Sequence, residues 1–317
     1  MEHRLPQPKK LGRPAAALRI ARPRIRATAR YQIGLYLMLL PFLFGAAVLI
    51  IVPGGITLSL AFAQYDGLAP PRWVGLHNFR SLFVDPLTFI AISNTSLFVA
   101  LTVPLRVLAA LVLALLLHRP ARGVGIYRAA VYLPTIIPGV AYALIWLWVL
   151  NPVSGPLNLV LAALGMPTPA WLAESRTALP ALVAAGLFQL GESFVVLLAG
   201  LHAIPRDYYQ AALIDGADRR QILRTITLPL LAPWLMLVVM RELIVSVQSS
   251  FTPALLMTGG GPYYATLFLP QLIYETAFDR FRFGDAAALT LITLLGLGLG
   301  LLLLHRAAGG WGYADET

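Results

Sequence analysis

Six apolar runs, each long enough to cross a lipid bilayer, constrain this chain more than any other feature. They fall at about 33–63, 89–117, 126–150, 178–201, 229–256 and 286–305. About 20 apolar residues span the hydrocarbon core as a helix, and a segment in lipid must satisfy its own backbone polar groups, which a helix does. The expected fold is therefore all-α, a polytopic membrane protein with six transmembrane helices. Composition agrees: 58% of the 317 residues are hydrophobic and 12% charged, against about 25% charged in soluble domains. Pro41 and Pro53 fall inside the first run, where neighbouring helices can satisfy freed carbonyls. Gly296, Gly298 and Gly300 stand among leucines in the last run and suit close helix packing.

Residues 1–30 form a basic tail, with nine Lys and Arg against one acid, Glu2, and prolines at 6, 8, 14 and 23. Much of the formal net charge of +10 sits there. A membrane surface, not nucleic acid, is the partner such a tail implies. The apolar run that follows is too long for a signal-peptide core and lacks a small-residue cleavage site, so a cleaved leader is not expected. The chain has no cysteine, which excludes a disulfide framework and a thiolate metal site.

Lys and Arg placement orients the spans. With the tail inside, Arg119, Arg122, Arg128, Arg206, Arg219, Arg220, Arg224 and Arg306 also lie inside. Outside lie only Arg72, Arg80, Arg176, Arg280 and Arg282. The inside excess predicts cytoplasmic termini and a multi-pass protein of the cell membrane.

One segment between the fourth and fifth runs is far more polar than its surroundings: QAALIDGADRRQILRTITLP, Gln210–Pro229. It reads as two short helices. The first covers Asp207–Ile214, with Pro205 near its start. Gly216 supplies the break, because glycine takes positive φ without strain. Asp218 is a good N-cap, Gln221 three residues later completes a capping box, and the second helix runs Arg219–Thr227 before Pro229 opens the next run. This pattern suits a connecting loop and a rigid coupling element equally well.

The segment resembles the cytoplasmic "EAA" loop of the integral membrane permeases of ATP-binding-cassette importers. Ala211 and Ala212, Gly216, and Ile226, Leu228 and Pro229 match in register, with Gln210 where the family usually has Glu. Asp215 lies within the same loop. Outer segments extend the resemblance across residues 31–306. Gly75-Leu76 with Asn78-Phe79 is similar to the family's "GLxNF" segment. Asn151-Pro152, Gly155 and Asn158 are similar to its "NPxxGxxN" turn. Thr258–Pro262 is similar to "TGGGP". Residues 157–164 read as a short interfacial helix.

The pattern is most similar to carbohydrate-uptake permeases, in particular the maltose and glycerol-3-phosphate first permease. The resemblance implies a permease domain at 31–306 with a coupling loop at 205–229, between the 1–30 tail and a 307–317 tail. It implies half of a heterodimeric translocation pathway for a sugar or polyol, completed by a second permease. Two cytoplasmic ATPase subunits and an extracytoplasmic substrate-binding protein are the other implied partners. The chain is not an enzyme on this reading and needs no cofactor: it has no Walker-type loop, and ATP is hydrolysed by the partner subunits.

Charged residues inside spans are costly and usually face a partner or a cavity. Four stand out: Arg106, Glu192, Arg241 and Glu242. Arg106 reads as structural, paired across helices. Arg241 and Glu242 are neighbours, so each is expected to need its own partner, with Arg241 reaching toward the inner interface. Glu192, with Gln189 and Ser193 on one helical turn, is the first candidate for substrate contact. Gln248, Ser249 and Phe251 in the fifth span supply the same hydroxyl-binding and ring-stacking chemistry. Polar glue between helices is the other role open to these residues. An ion-driven transporter and a membrane scaffold also remain open from residue pattern alone.

Overall fold

The computed structural model describes residues 29–307, with side chains from Tyr36 onward. The basic tail and the segment 308–317 lie outside the described residues. The chain divides into two units between Gly54 and Gly55.

The first unit is helical. Helix α1 (Ala29–Ala46) leads through a π turn at Ala47–Ile51 into α2 (Val52–Leu60). The π turn widens the helix just ahead of Pro53, whose ring would meet the carbonyl four residues back in a regular α-helix.

The second unit takes in the rest of α2 from Gly55, followed by a small antiparallel pair, β1 (Ala63–Gln64) and β2 (Arg72–Trp73), with Ala63 opposite Trp73. Helix α3 (His77–Val84) follows, and then α4 (Pro86–Leu117). Asp85 caps α4 by accepting the Leu87 N–H, with Pro86 in the first turn where no N–H is needed. The third and fourth runs depart from the sequence expectation of unbroken spans. The third is α5 (Val124–Ile136) and α6 (Gly139–Val149), bent by 101°. Ile137 between them is extended at φ −69°, ψ 127°, because Pro138 disfavours the α region for the residue before it. The fourth is α8 (Ser175–Leu187) and α9 (Gly191–Ala203), bent by 46°. The short helix α7 (Pro156–Ala163) precedes them, close to its expected bounds.

After α10 (Arg206–Ile214), the chain enters α11 (Arg219–Ile222), a π turn at Leu223–Thr227, α12 (Leu228–Ser249), α13 (Phe251–Pro253) and a π turn at Ala254–Thr258. Together these make one helical rod, Arg219–Thr258. The expected boundary at Pro229 is therefore absent. The π turn just before Pro229, closed by the Leu228 N–H on the Leu223 carbonyl, lets the rod run through. Helix α14 (Leu269–Tyr274), a π turn and α15 (Phe283–Ala307) complete the chain. Among the described residues, four helices are long and apolar enough to cross alone, and counting each bent pair as one span gives six.

Three buried apolar clusters hold the second unit together. One joins α4, α9 and α12 through Val107, Phe194, Leu197, Leu231 and Val238. A second gathers Phe98, α6, α8 and Phe268. A third packs α3, α14 and α15 around Leu82, Leu272 and Leu289. Burying each such side chain is worth about 1.5–3 kcal/mol where water is the alternative. Against lipid, close packing is the stronger argument, and small residues permit it. A Cβ on Gly200 of α9 would lie 2.6 Å from the Trp234 ring of α12. In α15, Gly284 allows a similar approach, since a Cβ there would lie 2.1 Å from the Ala63 carbonyl oxygen, whereas among the described residues Gly296 and Gly298 have nothing within 4 Å and Gly300 only meets Leu243 at 3.5 Å.

Candidate coupling loop and intramembrane polar cluster

The loop between α9 and the long rod is built from local signals. Helix α10 ends in a Schellman motif: the Ala217 N–H reaches the Ala212 carbonyl, and the Gly216 N–H reaches the Leu213 carbonyl. That closure needs a left-handed residue, and Gly216 has φ +78°. Asp218 then starts the next helix with both halves of a capping box: its side chain accepts the Gln221 N–H, and the Gln221 side chain accepts the Asp218 N–H, each at 2.7 Å. Gln210, Ala211, Asp215, Gly216 and Pro229 are exposed, while Ala212, Ile226 and Leu228 are half-buried. Leu213 and Ile214 are exposed at 64% and 87%, unusual for side chains of their size beside a polar turn. Tyr209 points the other way, packs against the α4–α9–α12 core and sets its hydroxyl 3.3 Å from that of Thr227.

Inside the membrane region, the four charged side chains form one cluster. Glu242 of α12 is buried. Its Oε2 accepts from Arg106 Nη1 of α4 at 3.3 Å, and its Oε1 accepts from Arg241 Nη1 at 2.9 Å and from the Ser193 hydroxyl of α9. Arg106 Nε also donates to the Gly186 carbonyl in α8 at 2.8 Å. Arg241 completes its pairing on Glu192. Two guanidinium groups and two carboxylates thus balance within one site. Balance of this kind keeps buried charge tolerable in a medium of low dielectric.

This geometry changes the reading of several residues. Arg106 pairs across helices as expected. Arg241 does not reach for the inner interface: its long side chain folds back on its neighbour Glu242 and across to Glu192, so the adjacent pair shares a network. Gln189 lies in the break between α8 and α9, so no helical turn unites it with Ser193. Ser193 is fully buried with its hydroxyl committed to Glu242. Of the six substrate-pathway candidates, Glu192 and Gln248 are the exposed ones. Gln248 lies seven residues beyond Arg241, about 10 Å along the helix axis. Ser249 is half-buried with no protein partner for its hydroxyl, and Phe251 packs on Tyr274 at 5.4 Å between ring centres.

The motifs around Asn78, Asn158 and Thr258–Pro262 turn out to hold corners. Asn78 donates to the Ala61 and Ala63 carbonyls. Asn158 donates to the Pro152 and Pro169 carbonyls and accepts from the Trp171 indole. Thr266 joins Thr258 and the Gly261 carbonyl across the glycine-rich turn, and Asn94 of α4 anchors the same turn at Tyr264 and Leu267. Nothing in the sequence pattern singled out Asn94. A polar cavity of about 380 Å³ lies beside β1 and β2, lined among others by Asp66, Arg72, His77 and Asp285. The backbone N–H groups of Ala69 and Leu68 hold the Asp66 carboxyl below the usual carboxylate range. Among the described residues, no group of His and acidic side chains could hold a metal ion.

Residues 106–308 match the family described as "Binding-protein-dependent transport system inner membrane component". The probable ABC transporter permease protein YesP of Bacillus subtilis is 35% identical over 281 residues, covering 87% of this chain and 90% of that protein. The trehalose/maltose transport system permease protein MalF of Thermococcus litoralis is 33% identical, covering 86% of this chain and 92% of its own length. The diacetylchitobiose uptake system permease protein NgcF of Streptomyces coelicolor is 30% identical, covering 94% and 90%. A chain from the crystal structure of a bacterial ABC transporter that imports the acidic polysaccharide alginate shares the fold at TM-score 0.76 and 24% identity. That alignment covers 88% of this chain and 96% of the other.

Proposed function

The chain belongs to the family of inner membrane components of binding-protein-dependent transport systems, and we propose that it is one permease half of an importer for a sugar or related polyol, completed by a second permease. It is a transport subunit. Two cytoplasmic ATPase subunits supply the energy, an extracytoplasmic binding protein delivers the cargo, and both termini face the cytoplasm. The saccharides in the names of the MalF and NgcF relatives support the cargo class.

The observation that carries the reading is the Gln210–Pro229 loop. It is a doubly capped helix–turn–helix, exposed at Leu213 and Ile214 and rooted in the core by Tyr209. Its second helix runs without interruption into the membrane rod. A short helix seated in a groove of an ATPase moves with that groove, and the rod carries the displacement inward. Glu192 and Gln248 are the side chains placed to meet cargo hydroxyls.

Affinity purification from native membranes, with mass spectrometry of the co-eluting chains, tests this assignment. A second six-span permease and a nucleotide-binding ATPase are expected. Recovery of this chain alone, with uptake that runs on an ion gradient, overturns it.

A further inference from the structure

The coupling loop hangs between the inner ends of α9 and the Arg219–Thr258 rod. The stretch α9–α10 is fastened to the rod at three depths. Nearest the loop, the Tyr209 hydroxyl of α10 meets that of Thr227. Further in, Gly200 lets the Trp234 ring come so close that a Cβ would overlap it. Deepest, Ser193 bonds Glu242 and Glu192 bonds Arg241.

The deepest tie reaches beyond the pair. Through Arg106, Glu242 is joined to α4, and the same guanidinium holds the Gly186 carbonyl of α8. The break between α8 and α9 at residues 188–190 is therefore gripped on both sides by one cluster: Gly186 before it by Arg106, and Ser193 after it by Glu242. A bend of 46° with no proline in it would otherwise be a compliant joint. Glu242 has no water to exchange its partners with, since its side chain is 1% exposed. Tertiary ties of this kind have few alternatives of equal energy and hold one arrangement.

We propose that Arg106, Ser193 and Glu242 are positioning residues that lock α4, α8, α9 and the rod into a single body, so that displacement of the coupling loop reaches the outer half of the spans. The proposal rests on the coupling-loop reading above. In this role they act through one another and the helices they join, not through contact with nucleotide or cargo. They set how much of the loop's movement arrives at the pathway.

The test uses the whole complex with its partner subunits in lipid nanodiscs. The permease chain has no cysteine of its own, so a single nitroxide can be placed on Val195→Cys in α9 and, in a second sample, on Thr225→Cys beside the loop. Signal from partner cysteines is subtracted using the unsubstituted complex. Spectra are compared without nucleotide and with ATP plus vanadate. In the otherwise native complex, both labels are expected to respond. With Glu242→Gln, the response at residue 225 is expected to persist, while that at residue 195 falls by about 5-fold or more. Glu242→Asp, which keeps the charge, is expected to restore most of it at unchanged expression.

If residue 195 responds equally with and without Glu242→Gln, the locking role is wrong and the coupling-loop reading stands. If residue 195 fails to respond in the native complex while 225 does, the loop does not drive the spans and both ideas fall. Should Glu242→Gln not assemble, Ser193→Ala removes one tie and keeps the ion pairs. A partial loss at residue 195 then supports the proposal, and a native response overturns it.

Discussion

Arg106 and Glu242, 136 residues apart in the chain, meet at 3.3 Å with side chains only 4% and 1% exposed. The pair joins the second and fifth spans, and Ser193 brings in the fourth. In the interior of a water-soluble protein such a pair contributes little, because both ions lose solvation on burial. Between packed helices in a membrane, separation is the costlier alternative, since either ion left alone has no solvent to turn to. The first prediction follows from that asymmetry. Arg106→Met alone should lower stability by about 3–5 kcal/mol, because Glu242 keeps one guanidinium to share with Glu192. Arg106→Met combined with Glu242→Met should recover most of that loss, since Arg241 and Glu192 still balance. Thermal melting of the purified complex, read for each single variant and the double, checks this. A double variant as unstable as the sum of the singles would contradict it.

The close approach of α9 to α12 makes a second prediction. Gly200→Ala places a methyl carbon 2.6 Å from the Trp234 ring and 2.9 Å from Leu231. The helices must part, at about 1–3 kcal/mol for overpacking. Gly296→Ala is the contrasting substitution. Nothing among the described residues lies within 4 Å of its added carbon, and a helix interior gains about 0.5–1 kcal/mol from alanine. Opposite shifts in melting temperature are expected. A loss at Gly296 equal to that at Gly200 would mean that another subunit packs on α15 there.

These contrasts show which parts of the structure the sequence could carry. The coupling loop was legible almost to the residue because its signals are local: Gly216, Asp218 and Gln221 each act within four positions of themselves. The spans were legible as apolar runs, but their breaks were not. Hydropathy continues across Ile137–Pro138, and only the backbone restriction ahead of Pro138 marks the 101° corner. At residues 188–190 no proline marks the bend. It is held from outside, by Arg106 on the Gly186 carbonyl and by Thr135 accepting the Gly191 N–H at 3.1 Å. Pro229 misled in the other direction, because a π turn absorbs it. The partners of Arg241 could not be read from adjacency, since a long flexible side chain can fold back on its own neighbour.

A third prediction concerns pH at the β1–β2 hairpin. Asp66 accepts the N–H groups of Leu68 and Ala69, both at 3.0 Å, and these bonds depress its carboxyl pKa. A carboxylate depressed in the folded state stabilises that state above its unfolded pKa, and the contribution fades as pH falls through the folded value. Amide exchange at Leu68 and Ala69, corrected for intrinsic rates, should show protection at neutral pH that declines below the ordinary carboxylate range. Asp66→Asn should flatten that dependence. An unchanged profile in the variant would assign the protection to the hairpin backbone alone.

The last prediction separates the shape of the coupling loop from its transmission. Asp218→Ala removes one arm of the capping box, at about 0.5–2 kcal/mol of local helix stability. The loss frays α11 yet leaves the Schellman closure at Gly216 in place. Gly216→Val acts on that closure itself. No neighbour obstructs the new side chain, but φ +78° is a conformation that a β-branched residue resists. The helix–turn–helix must then change shape where Leu213 and Ile214 are presented. ATP hydrolysis and cargo uptake, measured together on the same reconstituted complex with the sugar that its binding protein retains, should separate the two variants. Asp218→Ala should lower both modestly, with the ratio of cargo imported to ATP spent preserved. Gly216→Val should sharply reduce that ratio while hydrolysis continues. If Gly216→Val imports as efficiently per ATP as the native chain, the rigid shape of this loop is not what connects the ATPase to the spans.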